Sequence, residues 1–187
     1  MKRIAITPNN FDIEKLRQSI AFLRKNGASH IYLRSPLILN NPYLFDLIEF
    51  LKENNFIPVL PYDRWLDFKD FAIVCHFREN DKKSFAEALN KLKDTPFSVS
   101  CHSISEANEF LEKGADFVFL SPVFSPYSKK IDYPLIDLKS VARIVERFGE
   151  RVVLLGGMDF DRVEELRVKL DSDFSFGGIT CFFGGEK

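Results

Sequence analysis

The sequence is poor in the residues and patterns that mark several classes of protein. It has three cysteines, Cys75, Cys101 and Cys181, and their odd number and wide spacing exclude a disulfide framework or a paired zinc site. The formal net charge is only −1, so no bulk electrostatic field would recruit nucleic acid or an anionic membrane. No apolar run approaches the ~20 residues that a bilayer span needs, and Met1–Arg3 lead into a short strand rather than an apolar signal core. We therefore expect a cytoplasmic protein that binds neither nucleic acid nor membranes.

The composition that is present fits one well-buried globular domain. Of 187 residues, 45% are hydrophobic and 28% are charged, which is ordinary for a soluble protein of this length. Twenty phenylalanines against two methionines indicate a core packed with rigid rings. No linker, repeat or low-complexity tract divides the chain, so we predict a single domain over residues 1–187.

Short apolar runs alternate with segments of helical periodicity along the whole chain. The first such segment starts after Asp12, a residue suited to capping a helix. The eight predicted strands are Ile4–Ile6, Ile31–Leu33, Ile57–Leu60, Phe71–Cys75, Phe97–Cys101, Phe117–Leu120, Val152–Leu155 and Phe174–Gly178. This alternation requires a parallel sheet with right-handed crossovers, and eight units favour a closed (β/α)₈ TIM barrel.

Little sequence follows the last predicted strand. The tail is Gly184–Lys187, so we expect the eighth helix of the barrel to be truncated or absent. A partner subunit could cover the place where that helix normally closes a barrel, which makes a homodimer a possible assembly.

The most informative region is a strand–helix–strand unit that ends in a polar loop. Its pieces are Ser98–Ser103 (Ser-Val-Ser-Cys-His-Ser), Gly114–Asp116 (Gly-Ala-Asp), Leu120–Phe124 (Leu-Ser-Pro-Val-Phe) and Ser128–Lys130. Such a unit places hydroxyl and ammonium groups at the carboxyl ends of adjacent parallel strands, where α/β proteins build their sites. The pieces and their order resemble the thiamin-phosphate synthase family and its TenI relatives. That family carries Gly-Val-Ser-x-His-Ser, Gly-Ala-Asp and Gly-Pro-Val-Phe-x-Thr-x-Thr-Lys.

The resemblance implies roles for one strand serine and for the polar loop. Ser100 falls on the family serine near the scissile diphosphate, where a hydroxyl can donate a hydrogen bond to developing negative charge. Ser128 and Lys129 match the Thr-Lys of the diphosphate loop. We predict Ser100 and Lys129 as catalytic residues and Ser128 as a substrate contact. The alternative interpretations are a strand serine satisfied by backbone and two solvated surface lysines.

Two further substrate contacts are predicted after strands two and three. Arg34 emerges at the carboxyl end of strand two, where an arginine is well placed to bind an anion. The family has Gln-x-Arg-x-Lys at this place, whereas this chain has Tyr32 and Pro36 instead of the glutamine and the lysine. Tyr62 stands where the family has an asparagine that contacts the pyrimidine.

The resemblance also implies a magnesium ion held by two aspartates. Asp63 matches the family aspartate after strand three, and a carboxylate suits this hard cation. If His76 is aligned with the histidine of the family motif His-Leu-Gly-Gln-x-Asp, Asp81 is the second ligand, with Glu79–Asn80 as alternatives. Arg78 stands beside this position and would compete with the cation.

A second phosphate site is predicted at the ends of strands seven and eight. Gly156 and Gly157 resemble the Ile-Gly-Gly-Ile of the family, and glycines in this position expose backbone N–H groups to a phosphate. Gly178 and Ile179 lie where the family has Ala-Val-x-Ser. We therefore predict all four residues as substrate contacts.

Taken together, the resemblance implies a transferase of thiamin biosynthesis. It would join hydroxymethylpyrimidine diphosphate to a thiazole phosphate and release diphosphate. One alternative is a TenI-like thiazole tautomerase, although that branch has a histidine where this chain has Pro122. Another is a non-catalytic or regulatory paralogue that binds a phosphorylated thiamin precursor, which fits the altered diphosphate motifs.

Overall fold

Eight parallel strands pair in sequence order and close into a barrel, with β8 beside β1. The computed structural model describes residues 1–125 and 133–184. The strands are β1 (Arg3–Ile6), β2 (His30–Tyr32), β3 (Ile57–Pro61), β4 (Val74–Phe77), β5 (Phe97–Cys101), β6 (Phe117–Leu120), β7 (Val152–Leu154) and β8 (Ser175–Gly178). The predicted (β/α)₈ barrel is confirmed.

Helices connect the strands and cover the outside of the barrel. They are α1 (Ile13–Lys25), α2 (Pro36–Leu39), α3 (Leu44–Glu53), α4 (Tyr62–Trp65), α5 (Phe85–Leu92), α6 (Ile104–Glu112), α7 (Leu138–Phe148), α8 (Phe160–Leu170) and α9 (Thr180–Phe183). Short 3₁₀ turns lie at Leu66–Phe68, Glu79–Ser84 and Gly149–Arg151. Helix α1 begins as predicted, because the Asp12 carboxylate accepts a hydrogen bond from the Lys15 amide at 2.9 Å. Such a cap stabilises a helix by about 1 kcal/mol.

The fourth strand lies further along the chain than its sequence predicts. The apolar run begins at Phe71, but β4 starts only at Val74. Phe71 belongs to a turn, in which the Ile73 amide donates to the Phe71 carbonyl at 2.8 Å. The Phe71 ring packs edge-on against Phe45 of α3. The apolar run therefore starts before the strand, because the side chain of its first residue packs in the layer between the barrel and the helices.

Side chains alternate between the inside and the outside of the barrel along each strand. The inner cluster includes Ile4 and Ile6 of β1 and the rings of Phe117 and Phe119 on β6. Outward residues, such as Ala5, join the larger cluster under the helices. Rings and branched side chains thus fill the barrel and leave its carboxyl-terminal mouth as the place for a site.

The barrel interior also holds polar side chains, which the strand register brings together. The Cα atom of His76 on β4 pairs with that of Ser98 on β5, and Ser100 follows on the same face of β5. His76 is 1% exposed and Ser98 is 0% exposed. Buried polar groups are costly unless they are hydrogen-bonded, and the two serines satisfy both nitrogens of the imidazole.

Helix α9 follows β8 directly and spans four residues. Its Phe182 stacks on Phe176 of β8, and its Phe183 meets Phe11 edge-on with ring centres 4.7 Å apart. Of the helices in the described parts of the chain, none is both long enough and apolar enough to cross a membrane.

Candidate active site

A cavity of about 400 Å³ opens at the carboxyl ends of the strands. It brings together the predicted residues Arg34 and Ser100. Its lining residues are Ile6, Asn9, Tyr32, Arg34, Arg78, Ser100, Phe119, Ser121 and Leu155. A second cavity of about 370 Å³ lies at the opposite end, beside Met1 and Phe174. Because barrels of this type build their sites at the carboxyl-terminal face, we place the candidate site in the first cavity.

Ser100 is held in the cavity by a buried histidine. The Ser100 hydroxyl lies 2.9 Å from Nε2 of His76, and the Ser98 hydroxyl lies 2.9 Å from Nδ1 of the same ring. Burial, followed by the nearby charge of Arg78, lowers the pKa of His76 to about 3. The imidazole is therefore neutral near pH 7, with one donor and one acceptor nitrogen, so it orients the Ser100 hydroxyl.

Arg34 reaches the cavity from the end of β2 and is fixed by neutral partners. Its amide donates to the Thr7 hydroxyl at 3.0 Å, and its Nη2 donates to the Asn9 side-chain oxygen at 3.0 Å. Within residues 1–125 and 133–184, no carboxylate lies within 4.0 Å of the Arg34 guanidinium. Its positive charge is thus available to an anion. Asn9, which sequence reasoning missed, follows β1 and carries no motif that would have marked it.

The two predicted magnesium ligands, Asp63 and Asp81, come together, but an arginine lies between them. Arg78 donates from Nε to Oδ2 of Asp81 at 2.9 Å and from Nη2 to Oδ1 of Asp63 at 2.9 Å. The Arg78 amide also donates to Oδ2 of Asp81 at 3.0 Å. The hydrogen bond with Asp81 is the main reason why the pKa of Arg78 is raised above its usual value.

This arrangement does not fit a magnesium ion. The Asp81 side chain is only 12% exposed, and both of its oxygens face Arg78. No cluster of three or more histidine, cysteine, aspartate or glutamate side chains suited to a metal occurs in the part of the chain that the structure describes. Arg78 instead bonds both of the carboxylates that the sequence predicts as ligands. The predicted ligand pair Asp63 and Asp81 is an anchor for a guanidinium.

The two tyrosines of the altered family motifs lie in different surroundings. Tyr32 forms part of the cavity wall, with its ring centre 4.7 Å from that of His76. Burial raises the pKa of Tyr32, so its hydroxyl stays protonated. Tyr62 stands at the start of α4 and stacks on Phe77, with ring centres 4.9 Å apart. The structure thus places Tyr62 against the layer under the helices, and its contact with a substrate stays a prediction.

The predicted phosphate glycines make close backbone contacts. Gly156 has φ +91°, and a Cβ there would lie 2.8 Å from Cα of Pro122. Gly157 has φ +58°, and a Cβ there would lie 2.5 Å from the Ser125 carbonyl oxygen. Both positions therefore require glycine, because a side chain would push away the segment that follows β6. We call Gly156, Gly157 and residues 122–125 the glycine wall.

The remaining predicted contacts lie at β8 and beyond β6. Gly178 ends β8, and Ile179 precedes the short helix α9. Their contact with a phosphate stays a prediction. Ser128 and Lys129 lie outside the described residues, so their predicted roles rest on the sequence alone.

His102 contacts the backbone of Ser121, one of the residues that line the cavity. Its Nδ1 donates to the carbonyl of Ser121 at 2.9 Å, and its ring stacks on Tyr133 with centres 3.8 Å apart. The His102 amide donates to the Glu106 carboxylate at 2.8 Å. The residue therefore orients the backbone after β6, beside the cavity.

Comparison with known proteins connects this geometry to a family. The family model described as thiamine monophosphate synthase matches residues 74–172, more than half of the chain. A putative thiamine-phosphate synthase 2 from Aquifex aeolicus is 32% identical over 103 residues, 54% of each chain. Thiamine-phosphate synthase from Dictyoglomus turgidum is 28% identical over 68 residues, 36% of this chain and 30% of that protein. The chain thus matches about half or less of the length of these curated relatives.

Solved structures show the same fold. Thiamine phosphate pyrophosphorylase from Pyrococcus furiosus superposes with a TM-score of 0.75 at 23% identity, covering 99% of this chain and 88% of that one. A 3-hexulose-6-phosphate synthase superposes with a TM-score of 0.68 at 16% identity, covering 99% of this chain and 93% of that one. At these sequence identities, the structural similarity shows a shared barrel fold and nothing further. The family match over residues 74–172 goes further, and by it the chain belongs to the thiamine monophosphate synthase family.

Proposed function

We propose that this protein is a thiamin-phosphate synthase-type transferase. It joins hydroxymethylpyrimidine diphosphate to a thiazole phosphate and releases diphosphate. One observation carries the proposal within the family: the cavity sets two guanidinium groups, Arg34 and Arg78, beside apolar walls formed by Phe119 and Leu155. A flat heteroaromatic ring with a charged diphosphate tail matches that combination of surfaces.

The proposed chemistry depends on the charge of the leaving group. The thiazole nitrogen supplies the electron pair of the new C–N bond, and the departing diphosphate takes the pair of the C–O bond that breaks. Negative charge therefore grows on the diphosphate, where fixed donors lower the barrier. Arg34 and Arg78 supply such donors from the wall, and Ser100, which lines the same cavity, supplies a hydroxyl. Lys129 is proposed to add a further positive charge.

His76 acts in this scheme as a positioning residue. Because its pKa is lowered to about 3, it is neutral near pH 7 and holds the Ser100 hydroxyl in one orientation. A preoriented donor avoids the cost of reorganising during the reaction.

No step of the proposed reaction uses magnesium. The family resemblance implies Mg²⁺, but its two expected ligands, Asp63 and Asp81, are both hydrogen-bonded to Arg78. The chain's own residues, Arg34 and Arg78, are proposed to meet the charge of the diphosphate.

The proposed partners are small phosphorylated pyrimidine and thiazole molecules. The net charge of −1 supports a protein that binds neither nucleic acid nor membrane surfaces. A cytoplasmic location and a possible homodimer remain proposals drawn from the sequence.

The direct test is to incubate the purified protein with both substrates and to measure thiamin phosphate and diphosphate. We expect the two products in equal amounts. Arg147→Met serves as a control, because Arg147 pairs with Glu112 on the outer helical layer and both side chains are more than half exposed. Tight binding of thiazole phosphate or thiamin phosphate without turnover would contradict the transferase and favour a regulatory paralogue. Isomerisation of a thiazole carboxylate would favour the tautomerase.

A further inference from the structure

We propose that Arg78 takes the place of a divalent cation, so that the site binds the phosphate end of its substrate without magnesium. The inference rests on the proposed function only for the identity of the anion. Its geometry concerns a phosphate or diphosphate group of any origin.

The first argument is the position of the guanidinium. Asp63 lies in α4 directly after β3, and Asp81 lies in the 3₁₀ turn after β4, so they come from two neighbouring strand ends. Arg78 joins them through two hydrogen bonds of 2.9 Å. Connecting two carboxylates from separate loops is what a bound cation would do, and here a side chain of the protein does it.

The second argument is that Asp81 is already fully engaged. Its Oδ2 accepts from both the amide and the Nε of Arg78, at 3.0 and 2.9 Å. An incoming Mg²⁺ would have to break these charge-assisted bonds around a carboxylate that is 12% exposed. It would also leave a guanidinium without its partners beside another positive charge. The aspartates therefore serve better as anchors for Arg78 than as metal ligands.

The third argument is that Arg78 still has donors to offer. A guanidinium has five N–H groups, and Arg78 uses Nε and Nη2 on the aspartates. Across residues 1–125 and 133–184, Nη1 of Arg78 has no hydrogen-bond acceptor. The Arg78 side chain is 42% exposed and lines the cavity together with Arg34. Two arginines with free donors at one cavity form a site for a phosphate or diphosphate.

The test is calorimetric titration of inorganic pyrophosphate into the full chain, once in EDTA and once in excess Mg²⁺. We expect the two dissociation constants to agree within about twofold, well below the tenfold difference that a lost charge-assisted contact would produce. Pyrophosphate binding that disappears in EDTA, or weakens tenfold or more, would overturn the inference. This comparison uses the unaltered protein, so it decides the question even if variants fail to fold.

Arg78→Met sharpens the test. Removing the guanidinium should weaken metal-free pyrophosphate binding by about tenfold or more. It should also release Asp63 and Asp81, so that Mg²⁺ now strengthens pyrophosphate binding. Arg147→Met, which breaks an exposed arginine–glutamate pair on the helical layer, should change neither value. An Arg78→Met protein that is folded by circular dichroism and binds metal-free pyrophosphate as tightly as the parent would contradict the inference.

The outcomes separate this inference from the proposed function. Magnesium-independent pyrophosphate binding without any thiamin phosphate formation would contradict the proposed transferase activity and support the proposed role of Arg78. Thiamin phosphate formation together with strictly magnesium-dependent pyrophosphate binding would support the transferase activity and contradict the proposed role of Arg78.

Discussion

Two sides of the barrel's carboxyl-terminal mouth are built by different kinds of interaction. On one side, which we call the charged wall, Arg78 is held by Asp63 and Asp81 through hydrogen bonds between charged side chains. On the other side is the glycine wall, where backbone packs on backbone: the amide of Val123 donates to the Leu155 carbonyl at 2.9 Å.

The difference shows which part of such a site can change by single substitutions. The glycine wall allows almost no side chain, since a Cβ on Gly156 would lie 2.8 Å from Pro122. The charged wall depends on the identity of three side chains, and one arginine converts a carboxylate pair from a candidate metal site into an anchor. The backbone next to the lining residues Ser121 and Leu155 is therefore fixed, while the charged wall sets the ion chemistry of the cavity.

The largest expected effect is a loss of stability from a substitution in the glycine wall. Gly156→Ala should lower the free energy of unfolding by about 3 kcal/mol, because strain at positive φ adds to a clash with backbone. Gly114 is the matched control: its φ of +95° is close to the +91° of Gly156, but a Cβ there has no described atom within 4 Å. Gly114→Ala should cost about 1 kcal/mol. Equal losses for both variants in urea unfolding would show that the close contact carries no energy.

The next effect concerns the sequence that continues from the glycine wall. Lys129→Ala should lower turnover by on the order of 10²-fold with a smaller effect on substrate binding, because an anion-stabilising donor acts most in the transition state. Lys130→Ala is the control and should do much less. Steady-state rates of thiamin phosphate formation measure both variants. Equal, small losses would indicate that neither lysine contacts the diphosphate.

A third prediction tests the neutral histidine behind the charged wall. Because burial lowers the pKa of His76 to about 3, the native state does not bind the proton that the unfolded state takes up below its ordinary value of 6.5. The effect of His76 on the free energy of unfolding is absent above pH 6.5. Below that pH it destabilises the native state increasingly, by up to about 1.4 kcal/mol per pH unit.

His76→Asn isolates this effect from that of His30, whose pKa burial and then the charge of Lys2 lower to about 4. Denaturant unfolding at several pH values below 6.5 should show a shallower loss of stability for the variant than for the parent. Parallel curves would mean that His76 takes up a proton in the native state.

The smallest expected effect separates the two aspartates of the charged wall. Asp81 is 12% exposed and Asp63 is 56% exposed. Asp81→Asn should therefore cost about 1.5 kcal/mol of unfolding free energy, and Asp63→Asn at most about 0.5 kcal/mol. Thermal or urea unfolding compares them directly. A larger loss for Asp63→Asn would show that the exposed partner is the real anchor of Arg78.

The sequence predicts the barrel well, because each strand and helix depends on local periodicity. Side chains along a strand alternate between its two faces, and this alternation points Ser100 into the barrel. Its place at the cavity therefore follows from the strand pattern. The boundaries of β4 were harder to predict from the sequence, because the Phe71 ring packs outside the barrel and extends the apolar run.

The contacts within the site were harder to predict than its members. Asp63, Asp81 and Arg78 all follow predicted strands, but their pairing depends on how two loops approach each other in space. The bond from Arg34 to Asn9 and the contacts of His76 with Ser98 and Ser100 likewise join different strands and loops. No spacing along the chain encodes these distances, so the structure is needed to assign them.

The measurement that tests the charged wall most directly is a crystal structure of the protein grown with pyrophosphate and Mg²⁺. We predict pyrophosphate oxygens within hydrogen-bond distance of both Arg34 and Arg78, while Arg78 keeps its contacts with Asp63 and Asp81. A metal ion bound between the two aspartates with Arg78 displaced, or pyrophosphate bound away from both arginines, would contradict this account.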